Sequence, residues 1–222
     1  EKGKYKNPYG APAFPFLPPR LVKAYQEGTE IETLYLTEGQ FKVAKGDFHG
    51  LWIAGITGVW GWREEQVRLR EDLREIVTRC KVQRLCLLFD GDCREIRTGD
   101  ADKDLSKRLW GTFGSSANSF RDIVLAMGLK ASLAHVAEDM PKGLDDLLET
   151  LKPHQIEASL KELAYLASSE EGAGTYFWGM DLANFGKQKL REHFRVANVQ
   201  EFYEAYQKEL QDETFTWRGW QY

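Results

Sequence analysis

The stretch LCLLFDGD, Leu85 to Asp92, ends an apolar run on two carboxylates one residue apart. Strand side chains alternate, so Asp90 and Asp92 can point the same way off one strand end. Acidic residues follow two more runs of this kind: Glu38 directly after TLYLT, and Asp145 and Asp146 in KGLDD beyond ASLAHVA. Hard oxygen ligands gathered at one crevice suit Mg²⁺ or Mn²⁺, which typically bind one or two carboxylates while phosphate oxygens and waters complete the shell. Bare carboxylates at that spacing repel, and a cation or a raised pKa must resolve the conflict. The local alternative is that each acid caps a helix or forms a turn. Three clusters in strand order favour the shared cation.

Other chemistries find less support. GITGVWGW, Gly55 to Trp62, offers glycines where a backbone can approach phosphate, but the GKS/T of a P-loop is missing and GxGxxG does not occur. Trp60 and Trp62 either form a stacking platform for bases or pack beside the turn. His49, His135, His154 and His193 fit no HExxH spacing, and no GxSxG elbow accompanies them. Cys80, Cys86 and Cys93 are odd in number and lack CxxC spacing, so a reduced, intracellular protein is expected rather than a disulfide scaffold or a zinc site.

The elements that must position these acids read as an α/β domain. TLYLT, LWIAGI, RLCLLFD and ASLAHVA are strand-like, and helical patterns separate them. EGQFKVAKGDF is the first helix. From Glu64 to Cys80, Leu69, Leu73, Ile76, Val77 and Cys80 line one face of a second. A third ends with Phe120, Ile123, Val124 and Met127 before Gly128, and PKGLDDLLETL turns into a short fourth. Alternation of this kind implies a central parallel sheet of about four strands flanked by helices, spanning residues 33–152. Residues 1–32 read as a Pro-rich lead-in arm, with five of the seven prolines in its first nineteen residues. Its Tyr5, Tyr9, Phe14 and Phe16 either lie against the body or stack on a base, and packing is the more frequent use. Residues 153–222 read as a helical C-terminal extension. Ile156, Leu160, Leu163 and Ala167 share one face there, as do Val199, Phe202, Tyr203, Tyr206 and Leu210.

A chain of 222 residues with 42% hydrophobic content can bury one substantial core. Its net charge of −4 disfavours nucleic-acid binding by bulk positive charge, so any such role must be local. No run has the length of a membrane span and no signal peptide is evident, which points to the cytoplasm. The start at Glu1 suggests a piece of a longer polypeptide.

These residues resemble the Toprim domain of topoisomerases, bacterial-type primases and some nucleases. They are more similar still to Toprim-like domains in replication proteins of plasmids, phages and integrative elements. The shared order is YKNP (Tyr5 to Pro8), TEGQFK (Thr37 to Lys42), GVWGW (Gly58 to Trp62), DGD (Asp90 to Asp92) and KGLDDLL (Lys142 to Leu148). The resemblance implies a metal-dependent phosphoryl-transfer site. Glu38 would be general acid/base, and Asp90 and Asp92 would hold Mg²⁺ or Mn²⁺, with Asp145 or Asp146 as an additional ligand. Lys42 or Lys142 would meet phosphate. The implied partners are DNA, single-stranded in first expectation, nucleotides, and a helicase or other replication protein. Primase-like nucleotidyl transfer and phosphodiester cleavage both remain open, beside a non-catalytic module that docks DNA or a replisome partner. Gln40, two after Glu38, and the polar segment CREIRTGDADKD after Asp92 depart from better-studied Toprim enzymes.

Overall fold

The computed structural model describes residues 14–91, 113, 115–136, 140–168 and 194–196. In chain order these form α1 (Pro19–Glu27), β1 (Thr33–Glu38), α2 (Gln40–Phe48), β2 (Ile53–Ile56), β3 (Arg63–Glu64), β4 (Arg68–Leu69), α3 (Glu71–Arg79), β5 (Arg84–Phe89), α4 (Ser115–Ala126), β6 (Lys130–Val136), α5 (Leu144–Thr150), α6 (Pro153–Ser168) and β7 (Phe194–Val196). Asp92, Cys93, His193, the YKNP segment and the helix expected over 199–210 lie outside the described residues.

The molecule is α/β, built on a sheet in the order β2-β1-β5-β6-β7. Its first four strands are parallel, with Thr37 level with Gly55 on one side and Leu88 on the other. Every residue of β2 and β5 is buried. Such near-continuous apolar strands demand helices on both faces. Alternate side chains feed two cores accordingly. Leu34, Leu36, Leu85, Leu87 and Leu133 pack with α1, α3 and α4, whereas Tyr35, Cys86, Leu88, Ala134 and Val136 pack with α2, α5 and α6.

Three local structures differ from the sequence expectation. The helix expected from Glu64 begins only at Glu71, because residues 63–69 form the β3/β4 hairpin, with Glu65 and Gln66 at positive φ. Leu69 is buried from a strand and not from a helix turn. Glu71 and Asp72 then occupy the first turn of α3, where acids favour the helix dipole, and Asp72 accepts the Leu73 N–H at 2.9 Å. Inside the lead-in arm, α1 starts at Pro19 and stops where Gly28 turns left-handed at φ 70°. Finally, Phe194–Val196 adds an antiparallel fifth strand beside β6, within a region expected to be helical.

Trp62 is fully buried, donates its indole N–H to Ser116 Oγ at 2.9 Å and meets the Phe120 ring edge-on. Ser116 in turn donates to the Val59 carbonyl, tying the GVWGW turn to α4. Replacing Trp62 by Ala should therefore cost about 3–5 kcal/mol in urea unfolding. Cys86 provides a second test. Burial pushes its thiol from the ordinary 9.0 up to about 12. The folded protein thus keeps the proton while the unfolded chain loses it. This contribution to stability is intact below about pH 9 and is lost as pH rises towards 12. Tyr35, raised by burial as well, acts in the same direction. Urea midpoints should fall above that lower limit, and Cys86→Ala should lessen the slope.

Candidate functional site

Glu38 is the last residue of β1 and continues the row of Leu34 and Leu36. Gly39 follows at φ 97°, a conformation that L side chains rarely adopt, and lets the chain turn directly into α2. The turn after β2 comes up beside Glu38: a Cβ on Gly58 would stand 3.7 Å from its Oε1. Burial removes Trp62 from any stacking surface. Trp60 is half-buried, and the Arg63 guanidinium lies 3.5 Å from its ring centroid. Any base-stacking role therefore passes to Trp60 and Arg63, as a cationic lid on an aromatic plane.

Asp90 follows β5 and continues the other row, that of Cys86 and Leu88. Lys42, from the first turn of α2, places its Nζ 2.6 Å from Oδ1 and 2.7 Å from Oδ2 of Asp90. Both side chains are less than one-fifth exposed, at 16% and 19%. A charge-assisted bond so shielded is stronger than its surface counterpart. Lys42, expected from the resemblance to meet phosphate, here meets this carboxylate. Nothing in the spacing of the two residues announces the contact, because α2 reaches it by crossing the face of the sheet.

The third acidic cluster closes on the same lysine. The Gly91 N–H donates to the Lys142 carbonyl at 2.9 Å, fixing the segment before α5 against the end of β5. The Lys142 side chain itself is exposed. A Cβ on Gly143 would stand 2.9 Å from Lys42 Cε and 2.5 Å from Asp145 Oδ1, so glycine is what permits the approach. Asp145 and Asp146 occupy the first turn of α5, and Asp145 Oδ1 is buried without a hydrogen-bond partner. On the outer side of α2 and α5 these acids border a groove of about 460 Å³, also lined by Phe41, Ala44, Lys45, Phe48 and Glu149. Lys45 pairs with Glu149 and holds its carboxyl below the usual range. Phe41 and Phe48, exposed seven residues apart on α2, are a signal the sequence reading passed over.

Lys42, Asp90, Gly143 and Asp145 are thus brought together, while Glu38 stands at the end of the adjacent strand beside the Gly58 turn. Among the described residues, no three His, Cys, Asp or Glu side chains form a metal-holding group. Asp92, the expected third carboxylate, lies outside them. The donors that are described fit a hard cation in kind: two carboxylates at neighbouring strand ends, one already balanced by an ammonium.

Fold and site together define an α/β protein with an acidic crest at the carboxyl ends of its central strands. No protein-family model, curated protein or solved structure matches the chain. Among the described residues, no helix is long and apolar enough to cross a membrane.

The Lys42–Asp90 pair is directly testable. Lys42→Met should lower stability by about 1–3 kcal/mol in urea unfolding, because it removes the ammonium that balances a shielded carboxylate. Adding Asp90→Asn to that variant should restore part of the loss.

Proposed function

We propose that this chain is a metal-dependent phosphoryl-transfer domain of Toprim type, acting on DNA in the cytoplasm as part of a mobile-element replication protein. The observation that carries the reading is the placement of Glu38 and Asp90. They sit at the carboxyl ends of β1 and β5, adjacent parallel strands whose connections leave in opposite directions. In open parallel sheets that switch point is where ligands bind. The order of TEGQFK, GVWGW, DGD and KGLDDLL supports the family resemblance, and the carboxylates support the chemistry.

In this reading Asp90 and Asp92 hold Mg²⁺ or Mn²⁺, with Glu38 beside them. When bound, the cation supplies charge neutralisation to the phosphoryl oxygens. Glu38 accepts the proton of an attacking hydroxyl or returns one to the leaving oxygen. Trp60, with Arg63 over its ring, offers a stacking and phosphate-attracting edge to a single strand, two residues beyond the Gly58 that comes up beside Glu38. The same arrangement serves primase-like nucleotidyl transfer and phosphodiester cleavage, since both act on similar phosphates.

Calorimetric titration of Mg²⁺ and Mn²⁺ in the presence of single-stranded DNA tests the reading. Wild-type protein should bind, and Asp90→Asn should weaken binding by about tenfold or more, the loss of at least one charged contact. Glu38→Gln should keep DNA binding and lose turnover in primer-synthesis or nuclease assays. Absence of metal binding in every form would overturn the proposal in favour of a non-catalytic docking module for DNA or a replisome partner.

A further inference from the structure

Two independent observations meet at Gly143. The Lys42 ammonium covers both oxygens of Asp90, at 2.6 and 2.7 Å. Beside the last methylene of the same lysine, Asp145 Oδ1 is buried with no hydrogen-bond partner. A buried carboxylate oxygen without a donor is costly, and native structures rarely keep one without a use. A divalent cation that takes an oxygen of Asp90 repels an ammonium held on the same carboxylate, and so loosens the hold of Lys42 on it.

We infer that Lys42 is a two-position counter-ion. It rests on Asp90 while the crest holds no divalent cation, and moves to Asp145 when a cation takes Asp90. This inference builds on the metal-dependent reading above and assigns Asp145 a different task from a ligand's: it receives the displaced ammonium. Lys42 Cε and Asp145 Oδ1 both lie within 3 Å of the place a Cβ on Gly143 would take. Gly143, having no Cβ, leaves the space between Lys42 Cε and Asp145 Oδ1 open. Of the other acids nearby, Glu149 is already engaged by Lys45, and Asp146 stands farther from Gly143, its Oδ2 being 3.6 Å from the place a Cβ there would take against 2.5 Å for Asp145 Oδ1. The ammonium thus neutralises one carboxylate or the other throughout, and the cation meets an Asp90 freed from its competitor.

The test is Mn²⁺ affinity, measured by calorimetry on the whole chain for wild type, Lys42→Met, Asp145→Asn and the double variant. Lys42→Gln serves as a second lysine variant, and urea midpoints establish that each form is folded. Removing the competing ammonium should tighten Mn²⁺ binding by about tenfold, the scale of one charge-assisted hydrogen bond. Asp145→Asn should weaken binding when Lys42 is present and have no effect when it is absent. Equal weakening in both backgrounds would make Asp145 a direct ligand and overturn the inference while the metal reading stands. Unchanged or weaker binding in both lysine variants would overturn it too. If no form binds Mn²⁺, the metal reading itself falls and takes this inference with it.

Discussion

A crossover between parallel strands must be right-handed, and this handedness organises the whole domain. From β1 the chain moves outward to β2, then returns past β1 to β5. Reversal of direction sends α2 and α3 to opposite faces, which is why the buried side chains divide into two cores. It also leaves the ends of β1 and β5 without a helix passing directly between them. Glu38 and Asp90 occupy those ends. Their location is a product of connectivity before it is a product of chemistry.

The two acids sit in different electrostatic settings because the strand alternation sends them to different faces. Glu38 belongs to the face of Trp62 and α4, where a glycine-bearing turn approaches it. Asp90 belongs to the face of α2 and α5, where a lysine satisfies it. One carboxylate thus stands beside a glycine turn, whereas the other already holds a positive charge. The proposed reaction would use that difference in setting.

Much of the framework was legible in the chain because fully buried parallel strands are written as unbroken apolar runs. RLCLLF and LWIAGI could scarcely serve elsewhere, and Glu38, Asp90 and Asp145 were found by following such runs to their ends. The β3/β4 hairpin was hidden because Leu69, Leu73 and Ile76 suit a helix, while the positive φ of Glu65 and Gln66 leaves no mark in composition. Pro19 and Gly28 do bracket α1 in the sequence, but the prolines before it dominated the reading. Phe194–Val196 is too short to announce a strand. The Lys42–Asp90 contact joins residues 48 positions apart. Only the docking of α2 on the sheet reveals it.

The lead-in segment also has a role at the far edge of the sheet. Phe16 exchanges two backbone hydrogen bonds with Gly55, at 2.9 and 2.8 Å, on the side of β2 that, among the described residues, no strand covers. An uncovered edge strand is a template on which a second copy of the chain can pair, and a strand as apolar as IAGI would be a poor one to leave open. By taking the central donor and acceptor of β2 for itself, the segment at Phe16 keeps the sheet from growing outward. Residues that contribute little to the acidic crest thus cap part of the open edge of the sheet.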